Sequence, residues 1–360
     1  MAPHIGMSSP AGSYTSGFNK LTLRPNAASA LKLDAFTAAE SQSSLSSSFE
    51  SALDDGIHME RPLLPGVYVP TMCFFEPATE NLDTAAISRH AVRLAHAGVT
   101  GLATQGSNGE AVHLTHRERR LVTSTTRKAL NEAGFSQMPI IVGCGAQSTR
   151  ETIELCAEAW EAGGDYALVL PPSYYAPLFA PSSETIVEYF TTVADASPMP
   201  LIIYNFPGAV NGMDLSSDII LKLAQHPKIV GAKFTCGNTG KLNRVATATR
   251  KMAKCYDPDK PEFLVLAGSA DFTIQSLACL KTIDLYRAGE YQEAQKMQDV
   301  VAQGDWTAIQ GGVVGVKAGL QSWMGYGGYA RSPLPKPTAE QTEKWKQGFR
   351  DLVLLEESLS

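Results

Sequence analysis

From residue 66 to residue 267 the chain alternates short, continuously apolar runs with longer stretches whose apolar positions recur at helical spacing. The runs lie at 67–75, 99–103, 139–142, 166–170, 201–203, 229–232 and 263–267. Consecutive apolar positions without strict alternation are the pattern of parallel strands covered on both faces. Between them, 82–97 places Ile87, Ala91 and Leu94 at helical spacing and stops at Gly98. Further helices are predicted from Thr115 onward, over 149–162 with Gly163-Gly164 closing it, and over 184–196, 215–225 and 242–254. Pro70 inside the first run implies a bend or an irregular start. Seven strand-then-helix units in succession predict an α/β fold, a TIM (β/α)8 barrel. The runner-up, a doubly wound open sheet, lacks its dinucleotide fingerprint, because Gly143-Cys-Gly145 has no third glycine and no acidic residue follows at the right strand end.

The eighth unit breaks the repeat. After Asp271 the sequence reads as helix joined to helix, through Phe272 to Arg287 and on into Tyr291 to Val301, with no strand pattern between. Gly312-Val-Val-Gly-Val316 is apolar enough to substitute, but Val313, Lys317, Leu320 and Trp323 fit a small-residue helix better. The barrel is therefore expected to lack its eighth strand, about two dozen residues, and to expose the edges of strands one and seven. Strands five and six are expected to lie away from that gap.

Several runs end in a polar residue. The run 201–203 delivers Tyr204 and the run 229–232 delivers Lys233, 29 positions later, which is one strand–helix–strand repeat. The two side chains should emerge side by side at one rim. A lysine amine condenses with a carbonyl only when unprotonated, which burial favours, and the resulting iminium is an electron sink for breaking a C–C bond. The competing reading of a strand-end lysine is one that snorkels to solvent or pairs with an acid. A phenol one strand away can move protons to and from a substrate hydroxyl, although a single strand-end tyrosine is more often structural. Gly106-Ser-Asn-Gly-Glu110 puts Ser107 and Asn108 between two glycines at a strand end. Freed amides, a hydroxyl and a carboxamide there form a cradle for a carboxylate, or else an ordinary capping turn. His113 and His116, three apart at a helix start, have no third ligand nearby and read as a solvated helix end rather than a metal site.

Composition narrows the partners. The net charge is −6 and no Lys/Arg cluster stands out, so nucleic acid is not expected. No apolar run approaches the roughly 20 residues needed to cross a bilayer. Six scattered cysteines without a Cys-x-x-Cys read as reduced thiols in an intracellular protein. Residues 1–62 differ from the rest: they are rich in Ser and Ala, hold no acid up to Leu33, and carry Lys20, Arg24 and Lys32. That composition fits an organelle transit peptide and equally a disordered N-terminal extension, so the location is read as mitochondrial or cytoplasmic. The remainder divides into a (β/α) barrel with C-terminal helices over 63–335 and a C-terminal helix over 336–360.

Gly106-Ser-Asn-Gly-Glu110, Tyr204-Asn-Phe-Pro207 and Gly231-Ala-Lys-Phe-Thr235, in this order, resemble the signatures of the dihydrodipicolinate synthase / N-acetylneuraminate lyase superfamily of class I aldolases. The resemblance spans roughly residues 65–329. It implies a metal-independent, cofactor-free lyase in which Lys233 forms a Schiff base with pyruvate or another 2-oxo acid and Tyr204 shuttles protons. It implies that Ser107 and Asn108 bind the carboxylate and that Thr235 and Gly268 line the pocket. A second tyrosine, lent by a neighbouring subunit, maps to Tyr174, with Tyr175 the alternative, so a homo-oligomer (dimer or tetramer) is implied. Dihydrodipicolinate synthases carry an arginine five residues after the strand-five tyrosine, and here that position is Ala209. Its loss argues against that reaction. Ser107-Asn108 and Tyr326-Gly-Gly-Tyr-Ala-Arg-Ser-Pro-Leu334 look closer to 4-hydroxy-2-oxoglutarate aldolases, which release pyruvate and glyoxylate, and to 2-keto-3-deoxy sugar-acid aldolases. An inactive, truncated member that serves as a binding or regulatory subunit is the reading from another class.

Overall fold

Parallel strands need a crossover of a dozen or more residues between them, and each inter-strand stretch supplies one amphipathic helix. A computed structural model describes residues 61–179, 183–256, 262–268 and 276–359. The seven strands are β1 (Tyr68–Pro70), β2 (Gly101–Thr104), β3 (Ile140–Gly143), β4 (Tyr166–Val169), β5 (Leu201–Asn205), β6 (Ile229–Phe234) and β7 (Leu264–Ala267). They pair in sequence order, every pair parallel. A doubly wound sheet would reverse its order partway, so this is a barrel sheet left open between β1 and β7. The first run is strand only over three residues and ends on Pro70, which has no amide to donate, although the Thr71 amide still reaches Ala103 O at 2.9 Å.

The connecting helices are α1 (Thr84–His96), α2 (His116–Glu132), α3 (Thr149–Glu161), a short α4 (Ala176–Phe179), α5 (Glu184–Ala196), α6 (Ser217–Leu223) and α7 (Thr239–Tyr256). Thr115 starts α2 with a reciprocal capping box to Glu118, and Ser148 caps α3 through the Glu151 amide. The outward faces of the strands meet these helices in one core that includes Leu94, Leu102, Leu130, Ile140, Phe190 and Ile203. The inward faces form a thinner cluster of Ala103, Ile141, Leu168, Ile202 and Tyr204. Alternation along each strand thus separates the helix-packing residues from those that face the barrel interior.

After β7 the described chain resumes as α8 (Ser276–Ala288) and α9 (Tyr291–Met324), and among the described residues there is no eighth strand. Residues 313–316 lie within α9, as the helix reading required, with one non-helical residue at Gly312, where φ is +54°. Gly311 and Gly315 face Trp345, where a Cβ would come within 3.1 and 3.0 Å of the indole. α10 (Ala339–Gly348) and α11 (Arg350–Leu359) complete a second core around Phe74, Val301, Leu320, Phe349 and Leu352. The proposed N-terminal extension over 1–62 lies almost wholly outside the described residues. Among the described residues, no helix is long and apolar enough to cross a membrane.

One clasp between the last helix and α8 responds to pH. The Glu356 carboxylate on α11 accepts the Leu277 and Ala278 amides at 3.1 and 2.7 Å, and burial pushes its acid up to about 7 from an ordinary 4.5. An acid held above its unfolded value stabilises the fold fully below pH 4.5 and loses that contribution as pH rises to about 7. The shift corresponds to roughly 3 kcal/mol at most. Urea unfolding at pH 4.5 and 7.5 should show the Glu356→Gln variant losing less stability over this interval than the parent protein. Equal losses in both would show that the clasp does not titrate there.

Candidate functional site at the barrel rim

The site begins with an irregularity in β6. Leu201 pairs with Ile229, but Ile202 pairs with Gly231, so β6 carries one extra residue, Val230, against β5. Without that bulge Tyr204 would face Ala232, whose side chain belongs to the outer core. With it, Tyr204 pairs with Lys233 and both side chains face the barrel interior. Lys233 is 9% exposed and Tyr204 4%. The Lys233 Nζ lies 4.8 Å from the Tyr204 ring centroid, a cation–π contact, and Phe206 stacks on the tyrosine at 5.7 Å.

Two cavities flank this pair. The first, about 310 Å³, opens at the C-terminal ends of the strands and is lined by Ser107, Tyr204, Ala209, Gln147, Ser173 and Arg119 among others. Ser107 is exposed at its mouth and Asn108 is half-buried beside it. Gly143 allows the approach of this loop, since a Cβ there would sit 1.8 Å from the Gln105 carbonyl oxygen. The second cavity, about 410 Å³, lies in the barrel interior and has Lys233 on its wall. Val67 just before β1, Tyr68 of β1, Leu264 and Leu266 of β7, Ile283 of α8 and Val301 of α9 enclose it. It follows the open seam between the first and seventh strands. The expectation that the gap lies away from the chemical pair therefore needs correcting. β6 neighbours β7, and the inward Lys233 side chain reaches the space an eighth strand would enclose.

The remaining predicted residues separate into two groups. Thr235 and Gly268 meet: the Gly268 amide donates to Phe234 O at 2.7 Å, and a Cβ at 268 would lie 2.0 Å from Thr235 Oγ1. That buried hydroxyl has no hydrogen-bond partner among the described residues, which leaves it available to a ligand. Tyr174 stands apart from Lys233 on the outer rim, 75% exposed, with its ring edge-on to Tyr175 at 5.0 Å. Its amide donates to Gln147 Oε1 at 2.9 Å, as does that of Ser173 at 2.8 Å. Gln147 so ties the β3 loop to the β4 loop. Gln147 and Ser173 were readable only as members of strand-end loops. Arg119 gave no sequence signal; it is half-buried on α2, where its guanidinium donates to Gly143 O and Ala111 O.

The two histidines go to different acids, His113 to Glu110 at 3.0 Å and His116 to Glu158 at 3.0 Å. Among the described residues no group of three or more potential ligands could hold a metal ion.

Comparison with known proteins identifies the family. Residues 64–353 match the model of the dihydrodipicolinate synthetase family. A protein of Emericella nidulans named as a mitochondrial 4-hydroxy-2-oxoglutarate aldolase is 51% identical over 316 residues, covering 83% of this chain and 98% of its own length. The L-threo-3-deoxy-hexylosonate aldolase of Aspergillus niger is 46% identical over 328 residues, covering 83% and 98%. Among solved structures, a dihydrodipicolinate synthase family protein from Coccidioides immitis superposes with a TM-score of 0.69 at 29% identity, over 84% of this chain and 99% of that one.

Proposed function

The chain belongs to the dihydrodipicolinate synthetase family, and from that premise we propose that it is a Schiff-base aldolase that cleaves 4-hydroxy-2-oxoglutarate to pyruvate and glyoxylate. The observation that carries the reading is the bulge-set pairing of Lys233 with Tyr204 inside the barrel, with Nζ 4.8 Å from the ring. In this reaction the Lys233 amine attacks C2 of the 2-oxo acid, the carbonyl oxygen leaves as water, and an iminium forms. Tyr204 takes the proton from the C4 hydroxyl as the C3–C4 bond breaks, and the bonding pair moves into the iminium as an enamine. Glyoxylate departs, the enamine is protonated at C3, and hydrolysis frees pyruvate and the amine. Ser107 and Asn108 receive the 2-oxo-acid carboxylate, and Thr235 Oγ1 beside Gly268 is a further donor.

Pyruvate with borohydride should add one reduced adduct, mapped to Lys233 by peptide mass. Folded protein that forms none would sink the proposal. Tyr204→Phe should lower kcat by roughly 10²- to 10³-fold while the trapped adduct persists. A loss of tenfold or less would mean that another group moves the proton.

A longer 2-keto-3-deoxy sugar acid is the alternative substrate, supported by the 46% identity to L-threo-3-deoxy-hexylosonate aldolases of Aspergillus niger and Hypocrea jecorina. Ala209 on the cavity wall leaves room there and supplies no guanidinium for a second carboxylate. Released pyruvate, titrated across both substrates, separates the two. The seam supports another reading, an inactive family member that serves as a binding or regulatory subunit. That reading predicts folded protein with no adduct and co-purification with a complete paralogue.

Tyr174 on the outer rim is consistent with a homo-oligomer in which a second copy uses it. The acid-poor residues 1–33 and the mitochondrial name of the Emericella relative support a mitochondrial location. A fluorescent fusion of residues 1–62 that stays in the cytosol would overturn that address.

A further inference from the structure

Glu110 ends the Ser107-Asn108 loop in a conformation that an L-residue rarely holds, with φ at +51°, and it is 2% exposed. Its amide donates to the Ser107 carbonyl at 3.2 Å, and the Gly109 amide donates to Gly106 O at 3.1 Å, so the cradle is one compact turn. The Glu110 carboxylate is engaged mostly from the far end of the chain. Oε1 lies 2.5 Å from Lys317 Nζ on α9. Oε2 accepts the Arg331 amide at 2.9 Å and contacts His113 Nδ1 at 3.0 Å.

Lys317 is itself 0% exposed. It also donates to Tyr329 O at 3.1 Å, and its amine lies 4.4 Å from the Phe75 ring centroid. Burial lowers its affinity for a proton, and the Glu110 carboxylate opposes that shift. The Arg331 guanidinium reaches Glu118 at 2.6 and 3.0 Å and His113 O at 2.8 Å. Its hydrogen bond to Glu118 is the main cause holding that acid down at about 2. Glu118 is the partner of Thr115 in the α2 capping box, so both ends of the stretch 110–118 are tied to the C-terminal segment.

A buried ammonium–carboxylate pair rarely stabilises a fold more than apolar packing of the same volume would. A left-handed glutamate adds strain. Together they are poor stabilisers, but they restrict the loop to one conformation. We propose that Glu110 and Lys317 are positioning residues that hold the Ser107-Asn108 backbone in the shape that receives the 2-oxo-acid carboxylate. Through this contact α9 sets substrate affinity without touching the substrate. The inference rests on the aldolase reading above.

The test uses the full chain and three variants. Glu110→Gly/Lys317→Met removes both charges together and gives the left-handed position a residue that accepts it. Glu110→Gln keeps the shape of the side chain, and Lys317→Arg keeps the cation. Steady-state cleavage of 4-hydroxy-2-oxoglutarate is measured alongside amide hydrogen exchange over residues 106–111. The double variant should raise KM about tenfold, as lost support around a ligating group does, while kcat stays within about threefold. Exchange over 106–111 should accelerate, and Lys317→Arg should restore KM to within about threefold of the parent. An unchanged KM in the folded double variant overturns the proposal, as does an equal fall in kcat and kcat/KM. If the double variant does not fold, Glu110→Gln is judged by the same two criteria. If the parent forms no pyruvate adduct, the aldolase reading falls instead. The exchange measurement then decides the anchor alone, and unchanged protection overturns it.

Discussion

Lys233→Ala is expected to reduce kcat/KM by at least about 10⁴-fold, equivalent to some 5.5 kcal/mol of lost transition-state stabilisation. It should also abolish borohydride trapping of pyruvate. The size follows from the chemistry, because no neighbouring group can replace a nucleophile that becomes covalently part of the electron sink. The Tyr204 ring face and the aliphatic wall of the seam cavity hold the amine in place, but none of them is an amine. The fold should tolerate the change, since Lys233 already borders a cavity of about 410 Å³. Circular dichroism and the unfolding midpoint should therefore stay near those of the parent. Lys233→Arg should be equally inactive, because a guanidinium does not lose its proton at neutral pH. Retention of more than a few per cent of activity in a folded variant would remove Lys233 from the chemistry.

The second large effect is on stability and lies at the opposite end of the strands. Asp165, just before β4, accepts Arg61 Nη1 on one oxygen at 2.9 Å. Its other oxygen accepts Arg127 Nη2 at 2.6 Å and the Ile140 amide at 2.7 Å. All three side chains are buried, and burial brings the Arg127 guanidinium down to about 10. Asp165→Ala deprives two buried guanidiniums of this carboxylate, a change that costs roughly 3–5 kcal/mol. At about 2–4 °C per kcal/mol for a domain of this size, the melting temperature should fall by roughly 10 °C. Because the cluster sits away from the rim, the folded fraction should keep its kcat. A melting temperature within 2 °C of the parent's would mean that water replaces the carboxylate there. A matching loss of kcat would mean that the cluster shapes the active end as well.

Much of this molecule was legible one residue at a time. A strand covered on both faces is apolar at every position, so the seven runs announced themselves without alternation. Gly98 and Gly163 marked where two helices stop, and Thr115 where one starts. The break after the seventh unit was equally readable, because a barrel strand has a composition that residues 276–324 do not show. The spacing of Tyr204 and Lys233 placed them on adjacent strands, since one crossover helix has a narrow range of lengths.

Other features were invisible in the sequence, and each for a physical reason. Val230 looks like any valine in an apolar run, yet it is the bulge that turns Lys233 inward opposite Tyr204. Whether a residue is bulged depends on its pairing partner, and pairing is a property of two strands. Glu110 is separated from both Lys317 and Arg331 by more than 200 positions, and no local pattern predicts a buried charge meeting its partner at that range. The seam cavity belongs to no single segment, since its wall is shared by β1, β7, α8 and α9. Residue order therefore settled which groups this protein carries and on which strands they stand, because periodicity and turn chemistry act over a few residues. Packing settled which of those groups meet, and that among the described residues the space beyond β7 lies beside Lys233, because contact depends on how separate segments close on one another.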